Sequence, residues 1–142
     1  LFCPLAGCNT PIDETMAALA NLKKQGKIRF VGVSNFSEEQ IEEAEKYLQI
    51  DVQQPPFSMV NRTFVDLMKW GAAKGIDSMT YGSLGSGILS GAIRTLPDFA
   101  PNDLRLTFYD FFKEPKFSKI MELLKVMDQI AEVIKAGSPG SS

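Results

Sequence analysis

The chain has 142 residues, 44% of them hydrophobic, which is typical of a single globular domain with a buried core. Its 15 basic and 17 acidic side chains leave a net charge of −2, with no long run of either sign, which argues against a nucleic-acid or membrane partner. No apolar stretch reaches the roughly 20 residues that span a bilayer, and the N-terminus lacks the charged start of a signal peptide, so we expect a soluble, cytoplasmic protein.

Cysteine and histidine usage limits the chemistry that the chain can perform. Cys3 and Cys8 are the only cysteines, and there is no histidine, so a metal site would lack ligands and we expect none. We expect both thiols to be reduced, with a disulfide between them left open. The lack of histidine also removes the commonest general base.

The pattern of the first element is helical. Residues 1–9 fit no element, but Thr10 is a candidate N-cap, and Pro11 suits the first helical position. Gly26 suits a left-handed C-terminal cap, so we predict a helix over about 11–25. The apolar residues at helical spacing are Ile12, Met16, Leu19 and Leu22.

The run 28–36 is short, apolar and rich in β-branched residues, as expected of a parallel strand buried on both faces. Residues 37–40 follow as a capping box, which starts a helix. Ser34 and Asn35 therefore lie where a strand ends and a helix begins, at the edge where α/β folds bind ligands. Taken alone, this stretch favours a simpler interpretation, in which both residues only satisfy backbone groups of a turn.

The same pattern then repeats. The predicted elements are helices over about 38–48 and 64–74 and strands over about 50–54 and 76–81. Pro55 and Pro56 stop the first of these strands, because proline cannot donate to a sheet ladder. The alternation with short connections predicts parallel strands joined by right-handed crossovers.

Beyond Tyr81 the sequence becomes glycine-rich at 82–91 and then irregular and interrupted by proline at 92–115. A segment this long without regular structure usually has a functional reason or is mobile. A last helix is predicted over about 116–135, with an apolar stripe formed by Ile120, Leu123, Leu124, Met127, Ile130, Ala131 and Ile134. We expect one domain over 1–136 and a flexible tail over 137–142.

Three predicted strand ends bring polar and aromatic groups to one edge of the sheet. Ser34 and Asn35 follow one strand, Gln54 ends the next, and Tyr81 ends the third. Amides both donate and accept hydrogen bonds and tyrosine offers a ring for stacking, which suits a flat heterocycle bearing a carboxamide. The loop 82–87 could offer backbone amides to a phosphate, although it lacks a P-loop lysine and the glycine spacing of the dinucleotide fingerprint.

Four motifs together resemble the aldo-keto reductase family, whose members are NADPH-dependent (β/α)8 barrels that reduce aldehydes and ketones. They are TPIDETM at 10–16, GKIRFVGVSNFS at 26–37, QPPFS at 54–58 with NR at 61–62, and YGSLGSGILSG at 81–91. The resemblance implies an α/β fold, namely a partial (β/α)8 TIM barrel. About three parallel strands would alternate with helices, followed by a long loop and a C-terminal helix, in roughly the middle-to-late part of the barrel.

The resemblance also implies an NADP(H) site, residue by residue. The residues that match the nicotinamide carboxamide site are Ser34, Asn35 and Gln54. Tyr81 resembles the ring that stacks on the nicotinamide, and Gly82, Leu84 and Ser86 resemble part of the pyrophosphate-binding loop. Leu84 could instead serve only packing, and Ser86 only a turn.

The family's catalytic aspartate, tyrosine, lysine and histidine all precede the position that matches Thr10, and residues 1–8 do not match the family near Pro4, where the histidine would lie. The segment that binds the adenosine 2′-phosphate would follow the last helix, and Ala92 stands where many relatives have lysine. We therefore expect a truncated reductase that retains part of the cofactor site and is inactive alone.

An alternative is a non-catalytic oligomerising or interaction module built from a half-barrel. Three strands out of eight would expose apolar inner faces and unpaired strand edges. We therefore expect a homo-oligomer or association with the missing barrel segments. The aromatic residues of 99–112 and the stripe of the last helix fit this alternative, but they could also cover the open sheet within the same chain.

Overall fold

The computed structural model describes residues 2–4, 10–96, 98–100, 102–103, 105 and 108–137. Cys8 and the predicted tail beyond Gly137 lie outside these residues. Two compact units divide the chain, Leu1–Ser83 and Leu84–Ser142. None of the helices in the described part of the chain combines the length and hydropathy that crossing a bilayer requires.

The first unit is a parallel sheet whose strands alternate with helices. The strands are β1 (Phe2–Pro4), β2 (Gly32–Ser34), β3 (Val52–Gln54) and β4 (Asp77–Ser78), in that spatial order. The helices are α1 (Ile12–Lys24), α2 (Glu38–Glu45) and α3 (Val65–Ala73). The predicted α/β class and parallel pairing are confirmed, with one strand more than the three predicted, because β1 lies in the segment 1–9 that no pattern assigned.

The register of β2 and β3 decides which side chains share a face of the sheet. Val33 pairs with Gln53, and Ser34 pairs with Gln54. Val33 belongs to the core beneath the helices, and the Gln53 amide donates to the Leu67 carbonyl of α3. Successive residues of a strand point to opposite faces, so Ser34 and Gln54 lie together on the face away from the helices.

The helices bury one face each against this sheet. The buried core residues are Met16, Leu19, Val31, Val33, Phe36, Ile41, Ala44, Ile50 and Ile76. The helical spacing predicted for α1 is confirmed, since Ile12 and Leu22 pack against this core at its margin. Leu48, which the sequence placed in the second helix, lies three residues beyond the end of α2 and still packs there.

The helices differ in how their starts are capped. Ser37 Oγ accepts a hydrogen bond from the Gln40 N–H at 3.3 Å, and Gln40 Oε1 accepts one from the Ser37 N–H at 2.9 Å, as the capping box predicts. No side chain caps α3, whose N-cap is Phe64, or α1, whose N-cap is Pro11 and not Thr10. Pro11 has an extended ψ of 146°, so the helical conformation begins one residue later than predicted.

The second unit contains a short 3-10 helix at Ile88–Ser90, another at Asp110–Phe112, and α4 (Lys116–Gly137). The aromatic residues of the long irregular segment form a cluster, in which Phe99 and Phe112 have ring centroids 5.1 Å apart. In the predicted stripe of α4, Ile120 and Leu124 are buried, whereas Ile130 and Ile134 are 54% and 65% exposed. Only the first half of that stripe is therefore covered.

Gln53 determines how closely α3 can approach β3. Its side chain is 2% exposed, its Nε2 lies 3.3 Å from the Leu67 carbonyl, and its Oε1 has no hydrogen-bond partner among the described residues. A Cβ atom added to Gly71 would lie 2.1 Å from Gln53 Nε2. The helix can therefore rest on this amide only because residue 71 has no side chain.

We expect Gly71→Ala to destabilise the chain by about 1–3 kcal/mol, because the added methyl overpacks the contact with Gln53. In an exposed helix the same change would stabilise by about 1 kcal/mol, so the sign itself is diagnostic. Urea unfolding measures the free energy. In a Gln53→Ala background the loss should be clearly smaller, and an equal loss in both backgrounds would contradict this account of the contact.

Candidate functional site

The carboxyl ends of the strands meet at one edge of the sheet, together with the residue that follows them at position 81. Tyr81 forms a parallel bridge with Pro56. Its N–H donates to the Pro55 carbonyl at 3.2 Å, and the Phe57 N–H donates to the Tyr81 carbonyl at 3.0 Å. These backbone bonds hold Tyr81 beside the residues that follow β3. The strand predicted to end at Tyr81 is shorter than expected, since β4 ends at Ser78 and Tyr81 forms only an isolated bridge.

Asn35 follows directly on β2 and turns the chain toward α2. Its φ of 59° is left-handed, a conformation that asparagine tolerates better than most residues. Its N–H donates to the Gln54 carbonyl at 3.3 Å. Its side-chain Oδ1 accepts a hydrogen bond from the Tyr81 hydroxyl at 2.9 Å, between residues 46 positions apart. The structure therefore brings the ends of two separate strands into direct side-chain contact.

Ser34 is 8% exposed, and its hydroxyl donates to the Gln54 carbonyl at 3.1 Å. The proton of this hydroxyl is thus used within the sheet, and the oxygen lone pairs remain as acceptors. Gln54 is half-buried on the same face. Ser34 and Gln54, which the sequence placed at separate strand ends, are therefore immediate neighbours.

The loop after β3 is held by its own hydrogen bonds. Ser58 is buried, and its Oγ accepts from the N–H groups of Val60 and Asn61 at 3.3 and 3.0 Å. The Arg62 guanidinium lies 5.5 Å from the centroid of the Phe57 ring, a cation–π distance. This loop supplies a rigid border beside Tyr81.

The carboxyl groups with the clearest shifts of pKa in the second unit belong to exposed ion pairs. Hydrogen bonds from the Arg105 guanidinium lower the pKa of Asp103 to about 2. A hydrogen bond from Arg94 likewise lowers the pKa of Asp128. These carboxylates are partners of arginine on the surface, and they do not have the raised pKa that a general acid at neutral pH requires.

The glycine-rich loop divides between the two units. Gly82 has a left-handed φ of 72° and follows directly on Tyr81 in the first unit. In the second unit, Ser86 has a φ of 50°, and the Leu84 carbonyl accepts from the N–H groups of Gly87 and Leu89 at 3.2 and 3.1 Å. The Leu84 side chain is 61% exposed, so packing does not account for it within its own unit. Leu84 and Ser86 thus lie in a turn within the second unit.

Sequence reasoning missed two features of this edge. It did not separate the roles of Gln53 and Gln54, although the period-two alternation of a strand already predicts that adjacent residues face opposite sides. It also did not predict the hydrogen bond between Asn35 and Tyr81, for which the local sequence holds no signal. The described residues contain no group of three side chains that could hold a metal ion.

Ser34, Asn35 and Gln54 are uncharged, and their hydroxyl and amide groups lie at the same edge as Tyr81, which is 39% exposed. Such a set can hold a flat, uncharged heterocycle with an amide substituent, because the amides and hydroxyl match its polar atoms and the ring offers a stacking face. The residues present therefore fit the carboxamide and ring of a nicotinamide.

Comparison with known proteins is consistent with this geometry. A sequence model of the Aldo/keto reductase family matches residues 2–140. The chain is 33% identical to aldo-keto reductase yakc [NADP(+)] of Schizosaccharomyces pombe, over 86% of this chain and 37% of that protein. It is 32% identical to the NADH-specific methylglyoxal reductase of Escherichia coli, over 87% of this chain and 35% of that protein.

Among solved structures, the chain resembles a glycerol dehydrogenase from Gluconobacter oxydans. The TM-score is 0.81 at 31% sequence identity, over 96% of this chain and 41% of that one. The chain therefore spans less than half the length of the proteins it matches, and the predicted fold class, a partial barrel, is confirmed.

Proposed function

The chain belongs to the aldo/keto reductase family, and from that premise we propose that it carries part of the nicotinamide-binding edge of an NADP(H)-dependent oxidoreductase. The observation that carries this proposal is the contact between Asn35 and Tyr81, whose side chains meet at 2.9 Å at the carboxyl edge of the parallel sheet. Ligands of α/β barrels bind at that edge.

Each residue of the edge has a role in this proposal. Ser34, Asn35 and Gln54 bind the carboxamide, since a hydroxyl and two amides can match both its oxygen and its amino group. The exposed face of Tyr81 stacks on the nicotinamide ring, so Tyr81 is a binding group and not a proton donor. Gly82, Leu84 and Ser86 contribute to the pyrophosphate site. A nicotinamide cofactor supplies a hydride when it is bound.

The relatives differ in which nicotinamide cofactor they are named for. One relative is named for NADP(+) and another is named as NADH-specific. We propose NADP(H) for this chain on the family resemblance of its motifs. Parallel titrations with NADPH and NADH decide between the two cofactors. Because both carry the same nicotinamide, a difference in affinity reports on the phosphate.

We expect the chain to bind NADPH saturably, and Asn35→Gly to weaken that binding about tenfold through loss of the amide. Glycine adopts the left-handed backbone of residue 35 without strain, so the substitution removes the side chain and keeps the turn. Isothermal titration calorimetry measures the affinity.

The control for this titration is Asn21→Ala. Asn21 is an exposed asparagine near the end of α1, where α1 leads back to the amino ends of the strands. The Asn21→Ala substitution should leave the affinity for NADPH unchanged. Equal binding by the parent chain and Asn35→Gly would show that the edge is not the nicotinamide site.

We further propose that this chain does not transfer hydride by itself. The support is the sequence, which contains no histidine. The described residues at the edge are neutral amides, a hydroxyl and a stacking ring, which bind and orient a ring but do not form a set for moving protons.

The purified 142-residue chain should therefore show no consumption of NADPH with simple aldehydes above the rate in buffer. The loss of absorbance at the reduced-cofactor band measures this, with a full-length aldo-keto reductase as the positive control. A steady rate that Asn35→Gly lowers would refute the proposal, because it would assign the turnover to this site.

A second candidate function is that of an interaction module, and one observation favours it. The face of the sheet away from the helices carries an open cavity of about 420 Å³, lined among others by Phe30, Val52 and Met79. Phe30 and Met79 are 61% and 52% exposed. Large exposed apolar surfaces mark sites of association, so we propose that another copy of the chain, or further barrel segments, cover this face.

Static light scattering on the purified chain is expected to give a mass at least twice that of the monomer. Met79→Lys should shift the chain toward the monomer, because a charge on the associating face must be desolvated. Met59→Lys is the matched control, since Met59 is 57% exposed on the loop after β3. A compact, folded monomer of the parent chain would exclude association of this face with another copy.

A further inference from the structure

The hydrogen bond between Tyr81 and Asn35 gives the edge a polarity that the residue types alone do not specify. The side-chain amide of asparagine has an acceptor end and a donor end, which can exchange places by rotation. In the structure the acceptor end, Oδ1, is 2.9 Å from the Tyr81 hydroxyl. The donor end, Nδ2, is therefore the end that remains for a ligand.

This orientation follows from the chemistry of both partners. A phenol hydroxyl donates better than it accepts, because its oxygen lone pair is delocalised into the ring, so it prefers the amide oxygen. The backbone holds Asn35 within reach of Tyr81, because the Asn35 N–H is bonded to the Gln54 backbone carbonyl at 3.3 Å and α2 starts three residues later. Tyr81 is itself held by backbone bonds to Pro55 and Phe57.

Ser34 has the opposite polarity. Its hydroxyl proton is donated to the Gln54 carbonyl at 3.1 Å, so its oxygen can act only as an acceptor toward a ligand. Adjacent positions at the end of β2 thus present an acceptor, at Ser34, and a donor, at Asn35. A carboxamide carries the complementary pair, an amino group and a carbonyl oxygen.

We propose that Tyr81 is a positioning residue, whose hydroxyl orients the Asn35 amide so that Nδ2 donates to the carbonyl oxygen of the nicotinamide carboxamide. This inference rests on the proposed function, and it adds a second role for Tyr81 beside the stacking of its ring. The two roles are separable, because Tyr81→Phe removes the hydroxyl and keeps the ring.

The first test uses the chain without cofactor. In Tyr81→Phe the side-chain amide resonances of Asn35 in a ¹H–¹⁵N NMR spectrum should shift, because the hydrogen bond to Oδ1 is lost. Tyr47→Phe is the control, since Tyr47 is 48% exposed just beyond α2, and it should leave these resonances unchanged. Asn35 resonances that are the same in Tyr81→Phe and the parent chain would overturn the positioning role, whether or not a cofactor binds.

The second test compares NADP⁺ with its thionicotinamide analogue, in which sulfur, a weak acceptor, replaces the carbonyl oxygen. The parent chain should bind NADP⁺ about tenfold more tightly than the analogue, because Nδ2 loses its acceptor. In Tyr81→Phe the freed amide can rotate and accept from the amino group that both ligands keep, so the affinity ratio should fall severalfold. A purely structural role of Tyr81 would weaken both ligands equally and leave the ratio unchanged, which would overturn the inference.

The two proposals fail in distinguishable ways. If the parent chain binds neither ligand, the proposed function is wrong, and so is the selectivity for NADP⁺ over the analogue that was inferred from it. If the parent chain binds both ligands and Tyr81→Phe keeps the parent's ratio, the nicotinamide site stands and only the positioning role is wrong.

Discussion

The alternation of side chains along β3 is the constraint on which the rest of the first unit depends. Gln53 and Gln54 are chemically identical neighbours, but the strand sends one toward α3 and the other toward the opposite face. Gln53 is buried against Gly71 and sets the distance between helix and sheet. The backbone carbonyl of Gln54 accepts hydrogen bonds from the Ser34 hydroxyl and the Asn35 N–H, and so organises the edge where the candidate site lies.

The site is an extension of the sheet's own hydrogen bonding. The Ser34 hydroxyl donates a hydrogen bond to the backbone carbonyl of Gln54, and the Tyr81 hydroxyl donates one to Asn35 Oδ1. Each contact uses one end of a group that could otherwise both donate and accept. Polar groups that could both donate and accept hydrogen bonds therefore acquire a defined direction from the fold.

The candidate edge belongs to a sheet that is smaller than a closed barrel. The chain covers 41% of the glycerol dehydrogenase that it resembles, and its sheet has four strands, whereas a closed barrel has eight. The apolar residues on the face away from the helices, Phe30 and Met79, are consequently exposed. The candidate edge and the exposed apolar face thus belong to one partial sheet.

Local sequence determined the features that depend on a few neighbouring residues. The capping box at 37–40, the left-handed Gly26 and the parallel alternation of helix and strand were predicted, because caps, turns and hydrophobic spacing act within one or two helical turns. The family motifs likewise named Ser34, Asn35, Gln54 and Tyr81. Only the tertiary structure decided that β1 joins the sheet, that Gln53 and not Gln54 supports α3, and that Tyr81 bonds to Asn35. These contacts join residues 14 to 46 positions apart, so their geometry is set by strand pairing and helix packing, which no local pattern encodes.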